Sequence, residues 1–483
     1  MSSSGQTVAK NRIQNLLDDN SFVEIGAKVT KRNTDFNLGE KQVPADGVIT
    51  GYGLINGSMV YVYSQDMTAL GGAIGEMHAK KIAHIYDLAM KIGVPVIGLV
   101  DCAGLRLQEA TDALDAFGNL YVKKVMASGV IPQITAVFGN CGGGVAVANA
   151  LGDFTFMEAD KAKVFVSTPN VLDGNYTEKC DTASAQYQAS CGNVDFVCQE
   201  SEISEQIRQL ISIIPTNNED DNSFEECADD LNRACVAFDG EVRDPRMALI
   251  DLSDNGFFME TKKEYAKEMV TGFIRLNGMT VGVVANAMSL TDEEGKEIEK
   301  FANVLTTDGC RKATGFVKVC DAFHIPILTL TNVKGYKTTV EEEKTIGRAV
   351  AELTYTFTNA TSAKVNLIVG EAFGSAYVTM NSSHIGADMV FALPHAKIGM
   401  MDATQAVKIM YAEEINASND VEAKILEKAN EYEAMQSSVE IAASRGYVDN
   451  VIEGSSVRKQ MIYAFEMLFT KRDDRPSKKH GTV

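Results

Sequence analysis

Residues 81–104 read KIAHIYDLAMKIGVPVIGLVDCAG, and residues 312–335 read KATGFVKVCDAFHIPILTLTNVKG. The two stretches align without a gap at an offset of 231 residues (81 to 312). Each predicts an amphipathic helix, a turn ending in Pro (Pro95, Pro326), an apolar strand and a small-residue loop closed by Gly. Flanking segments repeat as well: GYGLINGSMV at 51–60 matches GFIRLNGMTV at 272–281. Val137, Phe138 and Gly139 lead to Gly142-Gly143-Gly144, as Ile368, Val369 and Gly370 lead to Gly374-Ser375-Ala376. A period this long is not a solenoid repeat, so the chain reads as one α/β domain written twice. The expected domains are 1–235 and 236–483.

Strands at 59–63, 94–100 and 133–138 alternate with helices at 74–92 and 113–128, which predicts βαβ units and a largely parallel sheet. The run NNEDDNSFEECADD at 217–230 is the most acidic stretch, and a solvated linker accounts for it. From Gln405 the chain is rich in Ala, Glu, Lys and Met, predicting helix through Met467 and a frayed KRDDRPSKKHGTV end.

The 483 residues suit about two to three domains with full cores. With 45 Lys plus Arg against 65 Asp plus Glu, the net charge of −20 argues against nucleic acid as a partner. A small anionic ligand needs only a local basic cleft and stays open. No apolar run approaches the roughly 20 residues that span a bilayer, and MSSSGQTVAKNR lacks the apolar core of a secretory signal. Nine cysteines without a CxxC pair read as reduced thiols, with no metal site expected. The expected location is the cytosol.

Chemistry concentrates in the loops. In GNCGGGVAVANA a strand ends, glycines follow and a helix begins near Val145; GEAFGSAYVTMN repeats the order. Small residues let backbone approach a ligand, and a helix start aims unpaired N–H groups at it. Such donors suit an oxygen that gains negative charge during reaction. An ordinary turn needs no ligand, but two equivalent loops favour a paired function. The loops after the long strands, Asp101-Cys102-Ala103-Gly104 and Asn332-Val333-Lys334-Gly335, belong to the same edge of a parallel sheet, where ligands gather.

Side-chain catalysts are hard to find. His78 and His84 sit on the predicted helix before Val94 and read as surface or partly packed residues. Glu76 and Glu109 are candidate acids or bases with nothing to select them. Ser375, His384 and Asp388 suggest a serine hydrolase, but GxSxG is absent and spacing does not make a triad. An enzyme without base, metal or nucleophile relies on a bound reactive group or on aligned dipoles.

IGEMHAKKI (74–82), GVPVIGLVDCAGLRLQE (93–109), SGVIPQITAVFGNCGGG (128–144), CDAFHIPILTL (320–330), AASRGYVDNVI (442–452) and the terminal PSKKHG closely resemble the carboxyltransferase subunits of biotin-dependent acyl-CoA carboxylases. They equally resemble those of sodium-pumping methylmalonyl-CoA and glutaconyl-CoA decarboxylases. The resemblance runs over nearly the whole chain. It implies a crotonase-like ββα superhelix in each half, and homodimers, commonly assembled into a hexamer as a trimer of dimers. It also implies a site between the N half of one subunit and the C half of its partner, with acyl-CoA on the N side and carboxybiotin on the C side.

Two backbone oxyanion holes are implied, matching Gly143 and Gly144, and Ser375 and Ala376. Substrate contacts are implied for Cys102, Ala103, Gly104, Gly142, Gly374, Tyr377 and Val378. The chain departs from the family's Asp-x-Pro-Gly-Phe loop at Asn332-Val333-Lys334-Gly335-Tyr336. It also has Ser375 within a usual Gly-Gly-Ala, and Val378 where propionyl-type enzymes carry Asp. Lys334 and Lys337 in the departing loop are candidates to hold a carboxylate. SAQYQASCGNVDF (184–196) replaces a His-containing segment.

No Met-Lys-Met biotinylation motif, ATP-grasp loop or four-cysteine zinc ribbon occurs. Biotin is therefore expected on a separate biotin carrier protein. A biotin carboxylase subunit or membrane decarboxylase-pump subunits are the expected partners. A biotin-independent CoA-ester hydratase or hydrolase, commonly a single domain, is the more distant alternative. A non-catalytic scaffold is a third, and the two retained loops weigh against it.

Overall fold

The computed structural model describes residues 7–33, 36, 43, 45–175, 179–220, 224–292 and 294–483. It divides into two compact units, Met1–Asn222 and Ser223–Val483. The division falls inside the acidic run, upstream of the expected 235/236 boundary. The reason is packing: Cys235 and Phe238 lie in the core of the second unit, and Arg233 holds the Asp251 carboxylate at 3.2 Å.

The first unit carries β1 (Val23–Ile25), β2 (Val48–Ile55), β3 (Ser58–Gln65), β4 (Val96–Cys102), β5 (Gln133–Gly142), β6 (Phe154–Glu158), β7 (Lys163–Phe165) and β8 (Phe196–Cys198). The sheet order is β1-β2-β3-β4-β5-β6-β8, with β7 added to the end of β5. β1, β2 and β3 pair antiparallel, and the strands from β3 onward pair parallel. Helices α1 (Val8–Leu16), α2 (Glu76–Ile92), α3 (Ala110–Ala127) and α4 (Gly144–Ala150) accompany them. The predicted strands and helices are all present, with ends shifted by a few residues.

The second unit repeats the plan. β9 (Phe258–Thr261), β10 (Met269–Leu276) and β11 (Met279–Asn286) pair antiparallel, and the small hairpin β12 (Ser289–Thr291) and β13 (Glu297–Lys300) stands apart. β14 (Ile327–Val333), β15 (Lys364–Phe373), β16 (Met389–Ala392) and β18 (Asn450–Val451) continue from β11 in parallel, with β17 (Lys397–Gly399) on β15. Helices α5 (Thr307–Ala322), α6 (Ile346–Asn359), α7 (Gly374–Thr379) and, in the tail, α8 (Val457–Leu468) belong to it.

The likeness extends to irregularities. The β4–β5 ladder shifts register after Val100, so that Cys102 meets Cys141; the β14–β15 ladder shifts after Thr331, so that Val333 meets Ala372. Shifts of this kind re-aim backbone at a strand end. Both occur directly before the small-residue loops. Helix α2 stops at Gly93 in the left-handed region, φ 74°.

The tail differs from expectation. It is broken by a short π-helix at Glu433–Ser437 and by β18, which joins the sheet edge. Its end is tethered, not frayed. Lys471 binds the Asp388 carboxylate at 2.9 Å, Arg475 donates to the Ala360 carbonyl at 3.1 Å, and the Lys478 ammonium stands over the Tyr355 ring. Among the described residues no helix is long and apolar enough to cross a membrane.

Candidate active site

In the first unit β5 runs to Gly142, and Gly143 turns the chain with φ 60° and ψ −128° before α4 starts at Gly144. This backbone conformation strains any residue with a Cβ. Gly144 needs its missing side chain for another reason: a Cβ there would lie 2.7 Å from the Phe117 ring. The Gly143 N–H is already engaged, donating to the Phe165 carbonyl of β7 at 2.8 Å. The N–H groups of Gly144 and Val145, opening a helix with no earlier turn to accept them, have no backbone acceptor among the described residues.

The second unit repeats this junction. Gly374 has φ 62°, and Ser375 and Ala376 follow it into α7. The shared offset of 231 places Gly143 with Gly374, Gly144 with Ser375 and Val145 with Ala376. The expected match of Gly142-Gly143-Gly144 with Gly374-Ser375-Ala376 is therefore one residue out of step. The donor pair equivalent to Ser375 and Ala376 is Gly144 and Val145. Counting the offset adds Val145 to the expected Gly143 and Gly144 as a candidate donor.

The loop after β4 lies beside the first junction. The position a Cβ would take on Gly104 is 4.0 Å from the Gly142 carbonyl oxygen. Ala103 is exposed there and Cys102 is buried. Burial pushes the Cys102 thiol up to about 11, so it supplies no nucleophile near neutral pH.

The loop rests on buried polar groups that sequence reasoning did not connect. Gln65 accepts the Asp101 N–H through Oε1 at 3.3 Å and meets His78 Nε2 through Nε2 at 3.2 Å. His78 Nδ1 lies 3.0 Å from the Asp46 carbonyl, which can only accept, so the proton sits on Nδ1 and Nε2 accepts from Gln65. Arg106 binds Asp46 at 2.7 Å and Glu109 at 2.6 Å, and Glu109 accepts the Glu76 N–H at 2.6 Å. His78 is thus a core residue, not the surface or partly packed one expected, while His84 is exposed. Glu109 is an interior strut, and Glu76 pairs with Arg32 and Lys80.

Burial, with Arg106 adding to it, depresses His78 from 6.5 to about 3. The unfolded chain gains a proton as pH falls through 6.5, while the folded chain resists until about 3. Stability is therefore full above pH 6.5 and is lost progressively toward 3. His78→Gln, which cannot titrate, should show a flatter fall of urea midpoint across that window. A slope equal to wild type would assign the acid sensitivity elsewhere.

In the second unit Asn332 takes the place of Asp101. It is buried, and its Oδ1 accepts from Asn303 Nδ2 at 2.9 Å and from the Glu371 N–H at 3.0 Å. Next to it, the Tyr336 hydroxyl donates to Ser375 Oγ at 2.8 Å, joining this loop to the second junction. Lys334 is exposed, whereas Lys337 already holds Glu342 at 3.2 Å. Tyr377 is buried with no partner for its hydroxyl among the described residues, and burial lifts that hydroxyl to about 12. Val378 is half-buried on the same helix.

No triad forms. Ser375 is bonded by Tyr336, His384 stacks near Tyr447, and Asp388 accepts from the Lys364 N–H and from Lys471. The junctions therefore offer backbone donors on each unit, and among the described residues no nucleophile with an activating base stands beside them.

The model of the carboxyl transferase domain matches residues 2–483. The methylmalonyl-CoA decarboxylase subunit alpha of Propionigenium modestum is 38% identical, over 99% of this chain and 93% of its own. The propionyl-CoA carboxylase beta chain of Roseobacter denitrificans is also 38% identical, over 99% of this chain and 94% of its own. Among solved structures, a transcarboxylase 12S hexamer with methylmalonyl-coenzyme A and methylmalonic acid bound superposes with a TM-score of 0.90. That structure is 35% identical and covers 98% of this chain and 91% of its own. The two α/β units are accordingly crotonase-like domains in tandem, and the chain belongs to the carboxyl transferase domain family of acyl-CoA carboxyltransferase enzymes.

Proposed function

We propose that this chain moves a carboxyl group between biotin on a separate carrier protein and a short acyl-CoA of the propionyl/methylmalonyl class. The observation that carries this reading is the duplicated junction. One pair of unpaired N–H groups would serve any thioester reaction; two equivalent pairs suit a transfer in which two different carbonyl oxygens each gain charge. In this reading Gly144 and Val145 hold the thioester oxygen, and the small residues Cys102, Ala103, Gly104 and Gly142 let the thioester approach the backbone. Ser375 and Ala376 hold the biotin ureido oxygen, reached past Gly374, with Tyr377 and Val378 backing the helix. Biotin, when bound, supplies the nitrogen that carries the carboxyl group. The rest is positioning, which alone can account for a large part of a rate.

Direction follows from the partner: a biotin carboxylase subunit drives carboxylation, and membrane decarboxylase-pump subunits drive decarboxylation. A hexamer of this chain in the cytosol, docking the biotin carrier, completes the proposal. The test uses the purified chain with methylmalonyl-CoA and free biotin. Release of CO2 should require biotin and need neither ATP nor metal addition. Release that ignores biotin, or none over a range of biotin concentrations, would overturn the reading.

Of the two loop lysines, Lys334 has no ion pair among the described residues and is the better placed to meet a carboxylate, whereas Lys337 is engaged by Glu342. Lys334→Ala should raise KM for methylmalonyl-CoA roughly ten- to a hundredfold more than KM for propionyl-CoA in the reverse direction, as expected for loss of a charge-assisted contact worth about 1.5–3 kcal/mol. Equal changes would leave Lys334 as surface charge.

A further inference from the structure

The geometry points to a side-chain donor at the second junction: we propose that the Ser375 hydroxyl, oriented by Tyr336, donates to the same oxygen that the Ser375 and Ala376 N–H groups hold. This rests on the reading of that junction as an oxyanion site. Three observations on one loop pair support it.

First, the Tyr336 hydroxyl lies 2.8 Å from Ser375 Oγ and is the donor. That direction is chemically expected, because a phenol is a better donor than an aliphatic alcohol. Ser375 Oγ then has its own hydrogen left to give. Second, that hydrogen has no acceptor in the described structure: Oγ takes part in one bond, the one it accepts. The Ser375 side chain is exposed, so the free O–H is open to a ligand at the junction. Third, the backbone of the same residue is part of the donor pair. Ser375 is the second residue of α7, in its first turn, so its N–H and O–H originate within one residue and can converge on one atom.

Two O–H groups in series polarise each other, making the terminal one the stronger donor. The equivalent place in the first unit, Gly144, has no side chain at all and no room for one. The two junctions are therefore chemically unequal: the first offers N–H groups alone, and the second adds an alcohol. A thioester oxygen and a ureido oxygen differ in basicity, and the additional donor stands at the junction assigned to the ureido oxygen.

Ser375 is in this view a contact to the reacting atoms, and Tyr336 is a positioning residue that acts through it. The test measures biotin-dependent CO2 release from methylmalonyl-CoA with free biotin, separating kcat from each KM. Tyr336→Phe should lower kcat about three- to tenfold, in line with loss of one neutral hydrogen bond, with little change in KM for methylmalonyl-CoA. Ser375→Ala should lower kcat at least tenfold, and Ser375→Thr, which keeps the hydroxyl, should restore most of it. In the Ser375→Ala background, Tyr336→Phe should have no further effect, because Tyr336 then has nothing to orient.

Melting temperature should not move for Tyr336→Phe, which deletes one oxygen from a half-exposed ring. Independent, multiplying losses in the double variant would overturn the proposal, as would wild-type kcat in Ser375→Ala. A wild-type enzyme without biotin-dependent turnover would instead overturn the oxyanion reading itself, which separates the two failures.

Discussion

Proline at position 375 is expected to lower biotin-dependent turnover by about a hundredfold or more while leaving the fold intact. Ser375 lies in the first turn of helix α7, and its N–H has no helical acceptor, so proline removes a donor that the fold does not use. The preceding residue is Gly374, which has no Cβ to meet the proline ring. Ser375→Ala serves as the control, since it deletes the hydroxyl and keeps the N–H. The difference between the two variants isolates the backbone donor. Proline at 375 with turnover equal to Ser375→Ala would show that this N–H carries no part of the rate. The same experiment has no simple counterpart at Gly144, where a ring would collide with Phe117.

The duplication made most of the fold legible before any coordinates. Helix, Pro, strand and loop recur at one offset, and physical periodicity assigns each of them. What escaped was whatever depends on contacts between distant residues. Asp46 and Arg106 are 60 positions apart, and nothing local marks them as a pair. His78 has helical spacing compatible with a half-exposed face, and only the approach of Gln65 and Asp46 shows that it is interior. The composition of the tail predicts helix, but β18 is two residues long and exists because Phe391 offers it a pairing edge. Lys471 looks like part of a frayed end until Asp388 is beside it. At the site, composition drew the eye to three glycines, and the fold alone shows that the Gly143 N–H is already held by the Phe165 carbonyl.

Removing Arg106 should be among the most damaging single changes in the first unit. Its side chain is 1% exposed and neutralises two carboxylates, Asp46 and Glu109, that are themselves fully buried. Burial already raises the Asp46 carboxyl above its ordinary value, with Arg106 opposing that rise. Arg106→Leu would leave two uncompensated carboxylates in the core, a loss of about 3–5 kcal/mol by analogy with other broken buried pairs.

The sign of the pH dependence follows. Without Arg106 the Asp46 carboxyl would rise further above its ordinary value, so the folded state would gain a proton more readily than the unfolded one. The defect should be largest at neutral pH and relieved as pH falls. Arg106→Leu combined with Glu109→Gln should recover part of the loss, because one buried charge disappears while the amide oxygen can still accept the Glu76 N–H. Urea unfolding read by far-UV circular dichroism checks this, since the chain has no tryptophan to report. A single variant within about 1 kcal/mol of wild type at neutral pH, or a double variant worse than the single, would mean that water or backbone rearrangement already shields these carboxylates. The consequence reaches the site, because Asp46 holds His78, His78 meets Gln65, and Gln65 holds the Asp101 N–H at the root of the first small-residue loop.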